Sequence, residues 1–396
     1  MLATLRGMLR VLIWLGQLLF VAPAVYSSTI ALWGLKTPAI RTSSQPSRRM
    51  RVVVAAHDEA SVIAGVAEDL AAQGYPSDLL RSCVIADRCS DATAEIAGQF
   101  VDVVERESGG GGKGAAISWY LAHEQLEPDE VLVVLDADNR ISEGFVGDIA
   151  AAIDDGAEVV QTYLDVVNPE GSALATANAL TYWASNRMVQ LARTNIGWSC
   201  DLGGTGMAMT GSALSDAGGF TDDLTDDLAL NIRLNLSGHR ARWLHAVKVL
   251  DEKPVDAKST VTQRARWVRG KREVQRQYGG SLFRAGVGSR QPALLDLWYR
   301  LYNPGRSFIA LMIAVLAVVA GVFPEWGLWP WQVLAGIAAI VVLLPVVFLI
   351  VDQVPARYIV RYPYVTLIAI LWLPIRIGSR LLTGWNRTEH GPAVDD

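Results

Sequence analysis

Two carboxylates one residue apart, Asp136 and Asp138, close the apolar run VLVVLDAD at 131 to 138. Side chains two residues apart in an extended chain point to the same side. The pair therefore offers hard oxygen ligands for Mg²⁺ or Mn²⁺, cations that bridge a diphosphate and neutralise charge as it leaves. A strand running into an Asx turn would carry the same residues for purely local reasons. Lys113 lies in Gly109-Gly110-Gly111-Gly112-Lys113-Gly114, just before a helical run. Glycines let the backbone approach an anionic group, and a lysine beside a helix N-terminus complements its charge. The spacing is not that of an ATPase phosphate loop. A plain surface loop is the bland alternative.

Two further signatures follow. Thr225, expected as an N-cap, precedes Asp226 and Asp227 and an amphipathic run closed by Gly238. Acids in a first helical turn favour the dipole, but a carboxylate held at a helix start in a cleft can also serve as general base, so Asp227 is the candidate to deprotonate an acceptor hydroxyl. Gln263, Arg266 and Trp267 fall at i, i+3 and i+4, one face of a helix. A guanidinium and an indole there suit a leaving phosphate and a sugar face. Five neighbouring cations, Arg264, Arg269, Lys271, Arg272 and Arg276, leave open a solvated basic face or contact with anionic headgroups.

These residues need a frame. Apolar β-rich runs at 51 to 56, 83 to 86, 101 to 104, 131 to 138 and 157 to 164 alternate with helical patterns, which predicts an α/β domain with a largely parallel sheet. Ligands of such sheets gather at the carboxyl ends of strands, where Asp87, Lys113 and the Asp136/Asp138 pair fall. Residues 165 to 285 carry a long helical stretch, a glycine-rich turn at 203 to 206, and helices starting near 226 and 258.

Residues 11 to 35 hold no charge and are long enough to cross the ~30 Å hydrocarbon core of a bilayer. Arg6, Arg10 and Ala22-Pro23-Ala24 also resemble a cleaved leader, but Pro23 sits badly beside a cleavage point and the apolar run continues past it. An anchor is favoured. Lys36, Arg41, Arg48, Arg49 and Arg51 outnumber Arg6 and Arg10, so the positive-inside rule puts the following domain in the cytoplasm of a cell (inner) membrane protein. The predicted organisation is an anchor at 1–36, a linker at 37–49, a catalytic domain at 50–285 and an interfacial amphipathic helix at 286–306. Transmembrane or re-entrant helices at 307–384 and a cytoplasmic tail at 385–396 complete it. Three cysteines with no paired metal spacing agree with a reducing compartment. A net charge of -5 without a basic field argues against a nucleic-acid partner.

The ordered set of signatures resembles the family 2 membrane glycosyltransferases, the cellulose, chitin, hyaluronan and poly-N-acetylglucosamine synthases, over roughly residues 50 to 285. The resemblance implies a GT-A type, Rossmann-like cytoplasmic domain between N- and C-terminal transmembrane helices. It implies Glu59, Asp87 and Lys113 near the nucleotide, although the family often has two adjacent acids where this chain has Ala86-Asp87. Asp136 and Asp138 correspond to its metal motif, Asp227 to its base and Arg266 to its pyrophosphate contact. Asp226, Gln263 and Trp267 fall on the acceptor side, Asp226 replacing a usual Glu, and Gly203-Gly204-Thr205-Gly206 resembles the loop beside the acceptor. Trp385 to Thr388 is faintly similar to a gating segment. The implied function is inverting, metal-dependent transfer from a UDP-sugar to a growing β-linked polysaccharide. With only three or four candidate spans, a membrane lipid of the diacylglycerol or ceramide type is the alternative acceptor. A non-catalytic nucleotide-binding membrane protein is the third reading.

Overall fold

The computed structural model describes residues 2–38, 46–221, 225–253 and 257–366. The chain enters through α1 (Leu2–Ala31) and a short 3₁₀ turn, Leu32–Leu35. Then β1 (Met50–Ala56), α2 (Ile63–Ala71), β2 (Leu80–Asp87), α3 (Thr93–Ala97), β3 (Asp102–Arg106), α4 (Lys113–His123) and β4 (Val131–Asp136) alternate as predicted. β1 to β4 are mutually parallel in the order β3-β2-β1-β4. Val52, Val53 and Val54 of β1 are all fully buried, because strands of such a sheet are covered on both faces, and this is why they read as unbroken apolar runs.

The second half departs from the expected parallel arrangement. It runs β5 (Arg140–Ile141), α5 (Phe145–Asp154), β6 (Val159–Val166), α6 (Ala173–Ser185), a π turn at Asn186–Leu191, α7 (Ala192–Asn195), β7 (Met207–Thr210), α8 (Gly211–Asp216), α9 (Asp226–Leu236) and β8 (Ala241–Asp251). The sheet has eight strands, ordered β3-β2-β1-β4-β7-β6-β8-β5. β7 is antiparallel to both β4 and β6, and β5 is antiparallel to β8, so the sheet is mixed. Inserting β7 places the glycine loop before it next to the end of β4. One core layer includes Ile117, Tyr120, Leu180, Leu230 and Trp243. The other includes Ile63, Leu70, Phe145 and Ile149.

Helix α10 (Ala257–Gly288) then packs against α9 and pairs with α11 (Pro292–Tyr302). After these come α12 (Arg306–Val322), α13 (Trp331–Val351) and α14 (Ala356–Ile359). Two segments, Val11–Leu35 and Trp331–Val351, are long and apolar enough to cross a membrane; α11 and α12 pass the same test together but bend by 73° between them. Val21 and Ala24 of α1 pack with Ile313 of α12 and Leu334 and Val341 of α13, while Leu19, Val318 and Ile350 point outward. Outward aliphatic side chains around a small packed seam are what a lipid environment permits. Most of the apolar run at 363 to 383 and all of Trp385 to Thr388 lie outside the described residues.

Candidate active site

The strand ends bring the predicted donor residues to one edge. Ala55 pairs with Asp136 and Ala56 with Ala86, so Asp136, the turn carrying Glu59 and Asp87 follow one another along the carboxyl ends of β4, β1 and β2. Asp136 closes β4, but Ala137 and Asp138 already lie in a turn. Asp138 therefore does not share the strand's two-residue alternation with Asp136. The Asp136 N–H donates to Asn139 Oδ1 at 2.9 Å and also approaches Thr205 Oγ1 at 3.1 Å, which pulls the chain out of its extended form. Asp138 lies close enough to Lys253 to act on it electrostatically.

Lys113 is the first residue of α4, after Gly112 at φ 108°, a conformation open to glycine. Its Nζ donates to Asp136 Oδ1 at 2.7 Å and to the Gly204 carbonyl at 2.9 Å. A Cβ on Gly204 would lie 3.4 Å from both Lys113 Nζ and Asp227 Oδ2, and one on Gly114 would lie 3.0 Å from Asp226 Oδ2. Lys113, Asp136, Asp226 and Asp227 thus form one cluster around the glycine loop. Burial would lower the lysine's pKa, but Asp136, Asp226 and Asp227 outweigh it and hold the ammonium above its usual range. Asp226 and Asp227 keep some access to solvent, yet burial is the largest influence on each. It pushes Asp227 up to about 6, with the Asp226 charge adding to it and Lys113 opposing. Asp226 is raised for the same first reason.

The expected Thr225 cap is not made. Its hydroxyl is buried and accepts no hydrogen bond from α9. Asp226 Oδ1 instead accepts the Asp227 N–H at 3.0 Å, and Asp227 Oδ1 accepts the Leu228 N–H at 2.7 Å. Asp227 keeps Oδ2 toward Gly204.

Gln263, Arg266 and Trp267 lie on α10, as the spacing predicted, and Gly270 continues their face. A Cβ on Gly270 would fall 2.4 Å from Thr225 Cγ2, so this face of α10 abuts the segment that leads into Asp226 and Asp227. Trp267 is 37% exposed, open to a ligand. Arg264 turns away and donates to Asn178 Oδ1 at 2.6 Å.

Asp87 is only 4% exposed and its carboxylate is already held. Arg88 donates to both oxygens at 3.0 Å and Arg106 to Oδ1 at 2.9 Å. Asp87 thus anchors two guanidiniums, Arg88 partly exposed and Arg106 buried, and neither arginine was singled out from the sequence. Gln161 was also missed: its Oε1 accepts the Gly203 N–H at 2.8 Å and its Nε2 donates to the Thr205 carbonyl at 2.8 Å, fixing the loop from inside β6. No local spacing marks these residues.

The donor chemistry of the main cluster fits a hard divalent cation: several carboxylate oxygens surround one ammonium, so the site already calls for positive charge. Asp58, Cys89 and Asp91 form another set of potential ligand atoms within 4.8 Å of one another. Their carboxylates, however, are committed to turns. Asp58 Oδ1 accepts the Ser90 N–H at 2.6 Å, and Asp91 accepts the N–H groups of Thr93 at 3.0 Å and Ala60 at 3.1 Å.

A family model described as "Glycosyltransferase like family 2" matches residues 46–270. The chain is 24% identical over 297 residues to "Probable glycosyltransferase YdaM" of Bacillus subtilis, covering 72% of this chain and 69% of that one. It is 26% identical over 257 residues to "Beta-monoglucosyldiacylglycerol synthase" of Trichormus variabilis, covering 61% of this chain and 52% of the other. With the synthase of the same name from Synechocystis it shares 28% over 255 residues, 58% of this chain and 49% of the other. The chain thus spans about half the length of these two synthases. The structure of the mannosyltransferase PcManGT from Pyrobaculum calidifontis, solved with GDP-Man and Mn²⁺, superposes with a TM-score of 0.57 at 18% identity over 91% of this chain and 99% of that one. At that identity the likeness is one of fold, a GT-A type α/β domain.

Proposed function

The chain belongs to the glycosyltransferase-like family 2, and on that premise we propose that it moves a sugar from a nucleotide-sugar, UDP being the expected nucleotide, to the hydroxyl of a diacylglycerol-type membrane lipid. The observation that carries the transfer is Asp227, a carboxylate raised to about 6 beside Lys113 and Gly204. At neutral pH it is ionised yet basic enough to take a proton, the property of a general base. As Asp227 accepts the acceptor hydroxyl's proton, the oxygen attacks the anomeric carbon from the face opposite the diphosphate. The new C–O bond forms as the bond to the diphosphate breaks, which inverts the anomeric centre. Arg266 contacts the departing diphosphate and Lys113 sets the charge balance around Asp136. Glu59 and the Asp87 turn lie toward the nucleoside, and Asp226, Gln263 and Trp267 toward the acceptor. A divalent cation, Mg²⁺ or Mn²⁺, held by Asp136 and Asp138 would neutralise charge on the diphosphate.

The lipid acceptor is favoured over a polymer by the diacylglycerol synthases among the relatives and by the apolar segments that pack directly onto the catalytic domain. A lipid substrate reaches such a site from the bilayer and needs no pore. The domain then sits on the cytoplasmic side of a cell membrane. The polysaccharide reading keeps one specific support, the half-open indole of Trp267 on the face it shares with Gln263 and Arg266. To test these readings, purified full-length protein in nanodiscs with dioleoylglycerol and Mn²⁺ is given radiolabelled UDP-glucose, UDP-galactose and UDP-N-acetylglucosamine. Label in the lipid extract is expected. Label confined to high-mass product would overturn the lipid acceptor, and UDP binding without transfer would indicate a nucleotide-binding protein.

A further inference from the structure

Helix α11 carries an acid, Asp296, whose side chain is 0% exposed. Arg193 of α7 donates to it through Nε at 2.8 Å and Nη2 at 2.9 Å, and the Tyr26 hydroxyl of α1 donates at 2.7 Å. The two-pronged Arg193 contact already satisfies the charge. Yet a second guanidinium, Arg300 one turn later, joins through Nε at 2.9 Å. Arg300 spends its other donors on the irregular segment after α7: Nη2 donates to the Ser199 carbonyl at 3.0 Å and Nη1 to the Asp201 carboxylate.

That segment, 198–206, has neither helix nor strand. Asp201 also receives Asn231 Nδ2 of α9 at 3.4 Å, and its own N–H donates to Gln190 Oε1 at 2.8 Å. Three residues on, Gly204 takes Lys113 on its carbonyl and faces Asp227. A continuous run of bonds therefore leads from Tyr26, inside an apolar span, through Asp296 and Arg300 to the loop against the base.

We propose that Arg300 is a positioning residue for the acceptor. It fixes the 199–206 segment so that Gly204 and Asp227 meet the incoming hydroxyl, and by sharing Asp296 with Tyr26 it makes that placement depend on how the first span seats against α11. This rests on the acceptor reading above for its kinetic part only. A guanidinium can serve Asp296, Ser199 and Asp201 together, whereas an ammonium on a lysine stem is a point donor that cannot hold that fork.

The test is Arg300→Lys in nanodiscs, with Tyr26→Phe as a milder second variant that keeps every charge. In Arg300→Lys the kcat/KM for dioleoylglycerol should fall between about tenfold and 10²-fold, the scale of a misplaced reacting group. UDP affinity should stay unchanged. Amide hydrogen exchange should speed up at 199–206 but not in β1 to β4, and Tyr26→Phe should move both readouts the same way by less. Unchanged exchange at 199–206, or UDP affinity falling in step with the acceptor kcat/KM, would overturn the proposal. If the wild type transfers nothing to dioleoylglycerol, that result counts against the lipid acceptor, while the exchange pattern still decides the role of Arg300.

Discussion

Gly270 lies one turn beyond Arg266 and Trp267 on the same face of α10. A methyl group there would lie 2.4 Å from Thr225 Cγ2, 2.8 Å from Oγ1 and 3.1 Å from Cβ. Carbons in contact rest at roughly 3.5 to 4.0 Å, so Gly270→Ala is short of space by about 1 Å. Thr225 is buried and β-branched, stiff at χ1, and has little freedom to swing aside. The helix and the segment entering α9 must part instead. Overpacking of this kind costs about 1–3 kcal/mol, against the roughly 0.5–1 kcal/mol that alanine normally adds over glycine within a helix. The sign of the change in Tm therefore discriminates: a fall is expected, where an unobstructed site would give a rise. A parting of about 1 Å between Arg266 and Asp227 should lower kcat/KM for transfer by roughly 10²-fold. The assay pairs that rate with Tm and UDP binding. Thr225→Ala deletes both Cγ2 and an unsatisfied hydroxyl, leaving only the 3.1 Å contact with Cβ. It should be nearly silent alone and should restore most of the loss in the double variant. Gly270→Ala with full activity and a raised Tm would refute the placement of α10 against this segment.

Asp227→Asn should bind UDP but lose about 10²- to 10⁴-fold in transfer rate, and near-normal transfer would remove Asp227 as the base. Because the base must be ionised, kcat/KM in the wild type should decline as pH falls through about 6. Lys113 favours the ionised form, so Lys113→Met should move this limb to higher pH; a shift to lower pH would contradict the cluster's electrostatics. Chelating divalent cations should stop transfer and Mn²⁺ or Mg²⁺ restore it, with Asp138→Asn needing more cation than wild type; transfer at full rate after chelation would rule out the metal role. Away from the site, burial would lower the pKa of His239, but carboxylates on both ring nitrogens, Glu158 at 2.9 Å and Asp216 at 3.0 Å, outweigh it and raise it. Its stabilising contribution is then present below the ordinary histidine range and lost as pH rises through the raised value. His239→Gln should lower Tm clearly near pH ~5.5 and by less near pH ~8.5; an equal loss at both would refute the pairing.

Strands β1, β2 and β4 could be read along the chain because their buried stretches are covered on both faces and show as apolar runs, whereas β3, at the sheet edge, is legible only through Val103-Val104. The α9 and α10 starts were legible from residue type and 3.6-residue spacing. β7 escaped because four residues after a glycine loop carry no period. β8 escaped for another reason. Its register on β6 jumps from Thr162↔Leu244 to Tyr163↔Lys248, so His245 to Val247 bulge out and break the alternation a strand would show.

At the site, residue types and short spacings were enough to nominate Asp136, Asp227, Lys113 and the Gln263–Trp267 face, since metal binding, proton transfer and phosphate contact each demand particular functional groups. Which groups meet was not encoded locally. Lys113 reaches the Gly204 carbonyl across a sequence separation of 91, and Arg300 reaches Asp201 across 99. Asp138 left its strand because Asn139 and Thr205 bend the chain, and Asp87 was engaged by Arg106 from a neighbouring strand. Spacing along a chain reports the period of one element, whereas the charge environment of a carboxylate is set by side chains that the sheet order and the docked helices bring within a few ångströms of it.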